Sequence, residues 1–391
     1  MTTDFGRTTL PYCSFVGVGE KRPRVGVGVG TDVLDLTAAA ARFVPDRAGL
    51  FADGTLDRFL AAGADAWHEV RDALTAWVDD PSARAFLVPA AEVDLVLPFT
   101  VADYVDFYAS EQHATNVGRL FRPDGEALPS AWKHLPMGYH GRAGTVVVSG
   151  TPVTRPSGQS RAASGHIDVG PSARLDLEAE IGFVVGVPST LGRPVDVDRF
   201  EQHVFGICVV NDWSARDLQA FEYVPLGPFL AKSFATSVSP WIVPLAALSG
   251  ARVEPPARDP HPPTYLQDED PWGLDLELVV RINDTIVSRP PFASMYWTPA
   301  QMLAHLTANG ASVRTGDLYA SGTVSGPADD QVGSLLELSR NGAEPVKLDD
   351  GSCRTFLLDG DEVTISATAA APGGGHIALG EVTGNVIARQ P

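Results

Sequence analysis

Four carboxylates and one histidine carry the chemistry that this chain could do. Asp106 sits in Val105-Asp-Phe-Tyr108, Glu178 and Glu180 in Leu177-Glu-Ala-Glu-Ile181, and Asp212 in Asn211-Asp-Trp213. Each acid interrupts an apolar or aromatic run, where an unpartnered charge costs several kcal/mol. One divalent cation would relieve all four. Oxygen-only ligands favour a hard ion, calcium or magnesium, over zinc. His113, seven residues after Asp106, is then free to act as a base beside the metal. Arg216, Gln219, Tyr223 and Lys232 follow Asp212, and the two cations among them could hold a substrate carboxylate or a developing oxyanion.

Taken singly, each of these residues has a plainer reading. Glu178 and Glu180 could form the polar face of an edge strand. Asp212 could cap a helix beginning at Trp213, Asp106 could be a loop aspartate, His113 could be an ordinary helix or core histidine, and Lys232 could be an exposed lysine between strands.

The elements that must position them read mostly as strands. Leu175, Leu177, Ala179, Ile181 and Phe183 alternate with Asp176, Glu178, Glu180 and Gly182. That period puts both glutamates on one face, roughly 7 Å apart. Phe205 to Val210 reads as a further strand that delivers Asp212 at its end. Before this region, Val25 to Gly30 alternates as a strand, and its glycine spacing does not fit a dinucleotide loop. Residues 56–78 read as a helix with Trp67, Val70, Leu74 and Trp77 on its buried stripe. Leu87 to Pro98 resembles a connector into a second unit. The chain has 38 glycines and 31 prolines, which end these runs repeatedly and predict a mainly β or α+β protein with irregular connections.

Composition narrows the function classes. At 391 residues and 44% hydrophobic content, the chain can bury a large core and form two domains. A net charge of −19 argues against nucleic acid or an anionic membrane as partner. Cys13, Cys208 and Cys353 are too few and too scattered for a disulfide framework or a zinc site. No signal-like segment and no membrane-length apolar run is present, so a cytoplasmic location is expected.

Longer strings carry a resemblance. Asp103-Tyr-Val-Asp-Phe-Tyr-Ala-Ser-Glu-Gln-His-Ala-Thr-Asn-Val-Gly118, His134-Leu-Pro-Met-Gly-Tyr-His-Gly-Arg142 and Asn211-Asp-Trp-Ser-Ala-Arg-Asp-Leu-Gln219 resemble the fumarylacetoacetate hydrolase family. So do Glu222-Tyr-Val-Pro-Leu-Gly-Pro-Phe-Leu-Ala-Lys-Ser-Phe234, Met295-Tyr-Trp297, Ala320-Ser-Gly-Thr-Val-Ser-Gly326 and Thr355-Phe-Leu-Leu-Asp-Gly-Asp-Glu362. The likeness runs from about residue 99 to the end and is weaker before it. The turn Ala371-Pro-Gly-Gly-Gly-His376 fits the family poorly and reads as a surface hairpin.

The resemblance implies an N-terminal SH3-like small β-barrel over 1–98 and a catalytic mixed β-sandwich roll over 99–391. It implies Ca2+ or Mg2+ on Asp106, Glu178, Glu180 and Asp212, with a second Mg2+ near Asp212, Lys232 and Thr236. His113 matches the base, Glu337 its acidic partner, and Arg216, Gln219 and Lys232 the groups around the oxyanion. Tyr108, Arg122, Tyr139, Gln219, Tyr223 and Thr323 match substrate-binding positions. The expected reaction is hydrolysis of fumarylacetoacetate to fumarate and acetoacetate, the last step of tyrosine breakdown, in a homodimer. Two other readings compete: a relative acting on acylpyruvates or by decarboxylation or hydration, and a β-rich module that holds a structural calcium without chemistry. The second leaves His113, Glu337, Arg216 and Lys232 without a task.

Overall fold

Valine-rich alternation opens the chain as a run of short antiparallel strands. Arg24–Val29 and Asp32–Asp35 form a hairpin with Val29 opposite Asp32. Its tight loop places Gly30 at φ +58°, a conformation that suits glycine at the first loop position. Tyr12–Gly17 lies on the other side of Arg24–Val29, and Leu87–Pro89 and Val93–Val96 form the two edges of this five-stranded sheet. Those edges are joined only by the short turn Ala90–Glu92. A flat sheet of this width would hold them about 19 Å apart, beyond the ~15 Å that such a turn can span. The sheet therefore curls on itself as a small barrel. The segment read as a connector is thus two strands, an outcome set by pairing with partners far away in sequence. The structure, a computed structural model, describes residues 5–122, 124–162, 164–371 and 375–389; Pro372–Gly374 of the 371–376 turn lie outside them.

The 56–78 stretch forms two helices, Asp57–Ala61 and Ala64–Trp77. The break falls at Gly63, which adopts φ +83°. Trp67, Val70 and Leu74 are buried as their spacing predicts, and Trp77 stacks on Phe43 with ring centroids 5.0 Å apart.

Beyond residue 100 the chain builds two facing sheets. The larger, mixed sheet runs in the order Gly138–His140, Tyr104–Phe107, Leu318–Ala320, Ala179–Val185, Val204–Asp212, Thr236–Val238 and Val146–Val148. The second contains Thr285–Ser288, Leu276–Ile282, Glu362–Ala370, His376–Ile387 and Val153–Thr154. Odd-numbered residues Ile181, Phe183 and Val209 of the first pack against Leu278, Val280, Ile365 and Leu379 of the second in one apolar core. Tyr104, Val184 and Val210 face the other way, into a second apolar core shared with Tyr12, Phe59 and Trp67. Reciprocal backbone hydrogen bonds of 2.8 Å also join Tyr12 to Ile242.

This alternation positions the site. On three strands of the large sheet, the face that carries Tyr104, Val184 and Val210 also carries Asp106, Glu180 and Asp212. Glu180 lies in Ala179–Val185, a central strand buried along its whole length, and Glu178 just before it is buried and bridged to Ser334, so the edge-strand reading of the glutamates does not hold. Asp212 ends its strand and caps no helix; the next helix starts at Arg216, after Ala215.

Candidate active site

Asp106 lies opposite Ala320 and Tyr139 in the ladder, Glu180 opposite Val210 and Asp212 opposite Thr236. These pairings bring Asp106, Glu178, Glu180 and Asp212 together: one carboxylate oxygen from each lies within 4.8 Å of all the others, and all four residues are buried. Opposed ligand oxygens of a calcium ion stand about 4.6–5.2 Å apart, and those of magnesium about 4.0–4.2 Å. A spread of this size suits the oxygen shell of a small hard cation of this kind.

Both oxygens of Glu180 and Oδ1 of Asp106 are buried without a hydrogen-bond partner, which is rare unless another group completes them. Asp212 is better served: Lys232 Nζ lies 2.7 Å from Oδ2, Tyr139 donates to Oδ2 at 3.0 Å, and Thr236 donates to Oδ1 at 2.9 Å. Glu178 is flanked by Lys232 and by Arg216, whose Nη2 lies 2.8 Å from Oε1. The donor set is oxygen only, and the orphaned oxygens converge. A hard divalent cation fits.

Protonation reflects the same imbalance. Burial, then Asp212, holds the Asp106 carboxyl well above the usual range. Burial, then Asp106, does the same to Glu180, and burial raises Asp212 despite Lys232. Burial also pushes Glu178 upward, but Lys232, Arg216 and His113 together outweigh it and hold the group low. The ion-free fold therefore binds more protons at Asp106, Glu180 and Asp212 than the unfolded chain does. Its stability should fall as pH rises above the ordinary carboxylate range. A cation needs the deprotonated oxygens, so calcium at 100 times its Kd should stabilise by about 2.7 kcal/mol near neutral pH and by much less at pH 5. Thermal melts with calcium and with chelator at both pH values check this; an equal shift at the two would contradict it.

His113 lies on the helix Glu111–Phe121, which Ser110 caps. The ring is buried, with Nδ1 2.7 Å from Glu337 Oε2 and Nε2 3.9 Å from Glu178 Oε1. Glu337 also accepts hydrogen bonds from Asn116, Ser325 and Ser334. Burial raises its carboxyl, but His113 and these donors prevail and hold it below the usual range. An ionised Glu337 accepting from Nδ1–H leaves the Nε2 lone pair on the side of Glu178.

A cavity of about 400 Å³ opens onto this group and is lined by Asp106, His113, Glu178, Arg216 and Lys232, and by Tyr108, Arg122, Tyr139, Gln219, Tyr223 and Thr323. Sequence-read candidates from five separated segments thus share one space. Glu180, Asp212, Thr236 and Glu337 stand behind its wall. Arg122 spends part of its guanidinium on the carbonyls of Glu126 and Ala127. Lys232, held protonated because Asp212 and Glu178 outweigh burial, has no lone pair for a metal. A second Mg2+ ligated by its side chain beside Asp212 and Thr236 does not fit this arrangement.

Four residues escaped the sequence reading: Asn116, Ser325 and Ser334, which secure Glu337, and Asp176, which bonds Arg216. Asn116 is a polar residue one turn after His113 on the same helix and Ser325 a loop serine, neither marked by any pattern, whereas Ser334 stands at the capping spacing before Glu337. Asp176 did carry a signal, since it precedes Glu178 and Glu180 in the same alternating row.

The chain is similar to known proteins along most of its length. The family described as fumarylacetoacetate (FAA) hydrolase C-terminal matches residues 103–387, and the one described as fumarylacetoacetase N-terminal matches residues 8–98. The fumarylacetoacetase of Homo sapiens is 43% identical over 406 residues, covering 98% of this chain and 96% of its own length. That of Caenorhabditis elegans is 44% identical over 98% of this chain and 97% of its own, and that of Arabidopsis thaliana 40% over 98% and 95%. Among solved structures, a fumarylacetoacetate hydrolase from Exiguobacterium antarcticum is similar with a TM-score of 0.57 over 97% of this chain and all of its own, at 18% identity. At that identity the likeness speaks for the fold.

Proposed function

The chain belongs to the fumarylacetoacetate hydrolase family, and from that premise we propose that it hydrolyses a carbon–carbon bond of 4-fumarylacetoacetate, giving fumarate and acetoacetate. The observation that carries this reading is the convergence of four buried carboxylates with a Glu337-bound His113 on one cavity. This is the reaction that closes tyrosine and phenylalanine degradation.

Asp106, Glu178, Glu180 and Asp212 would hold Ca2+ or Mg2+, which supplies Lewis-acid polarisation of a chelating 1,3-diketone. His113 Nε2 takes a proton from water as the water oxygen bonds to the carbonyl carbon beside the double bond. Arg216, Gln219 and Lys232 stabilise the negative oxygen that forms. The bond from that carbon to the central methylene then breaks, its electron pair leaves with the acetoacetate fragment as an enolate, and the proton held by His113 passes to the former methylene carbon, which becomes the acetoacetate methyl. Tyr108, Arg122, Tyr139, Tyr223 and Thr323 hold the rest of the substrate, with Arg122 and the tyrosines on its carboxylate ends.

Loss of one oxyanion donor costs about 2.7–4 kcal/mol. Lys232→Ala should therefore lower kcat a hundredfold or more, measured as fumarate released from fumarylacetoacetate. A loss below threefold would remove Lys232 from this role. The function itself is tested by quantifying fumarate and acetoacetate from purified, calcium-loaded protein, with fumarylpyruvate as the competing substrate. Preference for fumarylpyruvate would move the chain to a different reaction of the same family.

We extend the reading to two units, 1–98 and 99–391, and to a homodimer. Val224, Leu226, Phe229 and Leu230 lie exposed beside the cavity, Leu226 to 96%, and apolar patches of this kind mark contact surfaces. Light scattering should give twice the chain mass. Cytoplasmic location is supported by three free cysteines, one of them exposed, which suit a reducing compartment. Among the described residues no helix is long and apolar enough to cross a membrane.

A further inference from the structure

Asp176 has no place in the reaction above, yet it is completely buried and its carboxylate is fully engaged. Oδ2 accepts from Arg216 Nε at 2.7 Å and from the Leu336 backbone N–H at 3.1 Å. Oδ1 accepts from the N–H groups of Leu335 and Leu177, each at 2.8 Å. Leu335 and Leu336 immediately precede Glu337, the partner of His113. Asp176 also opens the alternating run that continues through Glu178 and Glu180.

Arg216 is consequently held at two corners. Its Nε is fixed by Asp176, and its Nη2 lies 2.8 Å from Glu178 Oε1. Its Nη1 donates to Gln219 at 3.1 Å, on the cavity wall. Without Asp176 the guanidinium could swing wholly onto Glu178, away from the carbonyl oxygen it serves. Small displacements of a positioned group are costly in catalysis. We infer that Asp176 is a positioning residue that locks the Arg216 guanidinium to the backbone carrying Glu337, so that the oxyanion donor and the His113–Glu337 pair share one rigid frame.

The inference rests on the proposed reaction, so wild-type enzyme is assayed alongside. In calcium-loaded Asp176→Asn the new amide turns a donor toward Arg216 Nε, and kcat for fumarylacetoacetate should fall 10- to 100-fold, the usual effect of removing such a supporting group. KM should stay within about threefold, because the substrate-binding side chains are untouched. A purely structural role would lower the melting temperature and leave kcat of the folded fraction unchanged. In an Arg216→Met background, adding Asp176→Asn should lower kcat less than threefold, since its route of action is gone. If the single variant does not fold, the double variant decides, because it removes both buried charges together. A folded double variant as active as Arg216→Met supports the inference; one that is unfolded or tenfold weaker overturns it. Unchanged kcat in the folded single variant also overturns it while the reaction stands. An inactive wild type overturns both.

Discussion

His113→Ala should bind calcium within about threefold of wild type and yet turn over fumarylacetoacetate 10²- to 10⁴-fold more slowly, the usual contribution of a positioned general base. The separation of the two effects follows from geometry. His113 is not among the clustered carboxylates, and its Nε2 stands 3.9 Å from the nearest of their oxygens. Removing the ring leaves Glu337 with Asn116, Ser325 and Ser334 as donors, so the surroundings keep most of their hydrogen bonds. Glu337→Gln should lower kcat less than His113→Ala, because the amide still reaches Nδ1 but no longer fixes the tautomer. Combining the two should cost no more than His113→Ala alone, as expected of groups that act as one unit. Isothermal titration of calcium and steady-state rates on the same preparations check the set. Near-normal turnover by His113→Ala would remove it as the base.

The second large effect is a reversal of sign at Glu180. Its oxygens are buried and unpartnered, and burial and Asp106 hold its carboxyl well above the usual range. In chelator, Glu180→Gln replaces a group that resists ionisation with a neutral one of the same shape. The variant should be at least as stable as wild type, with the advantage growing as pH rises. With calcium present the order inverts, because wild type gains a ligand oxygen that the amide supplies only weakly. Calcium affinity should drop on the order of a hundredfold and turnover should fall with it at fixed calcium. Melting curves of both proteins, with and without calcium, measure the crossing. A variant less stable than wild type under both conditions would show that Glu180 serves the fold and no ion.

How much of this was legible in the sequence depends on the kind of signal. Alternation is a local property and survives in Ala179–Val185, but the run is interrupted at Leu177: Leu175–Asp176 pairs with Ser214–Ala215 in a separate two-stranded sheet, and Glu178 makes only a bridge to Ser334. The helical stripe of Trp67, Val70 and Leu74 survives as well, but the spacing could not show the chain break at Gly63, where one positive φ separates two short helices. Leu87 to Pro98 reads as a linker because of its prolines, whereas its two strands are defined by partners at Asp32–Asp35 and Tyr12–Gly17, far away in sequence.

The site divides along the same line. Long strings brought His113, Arg216 and Lys232 into one functional group, while their plainer readings each rested on local context alone. Lys232 illustrates the limit: its apolar flanks hinted at burial, but only the fold shows its ammonium between Glu178 and Asp212. Of the supports of Glu337, Ser334 stands three residues before it as the cap of its own helix, a serine-to-glutamate spacing the sequence does announce, whereas Asn116 comes from a helix 221 residues away, a juxtaposition that no spacing announces. Asp176 was within reach, since a third acid in a period-two row has the same claim to attention as the other two.

The central claim is that one cation gathers the four buried carboxylates. Crystals grown with calcium and measured for anomalous scattering test it directly. The account predicts a single strong peak about 2.3–2.6 Å from oxygens of Asp106, Glu178, Glu180 and Asp212. A calcium-saturated crystal with no peak there, or with its peak elsewhere on the molecule, would contradict it.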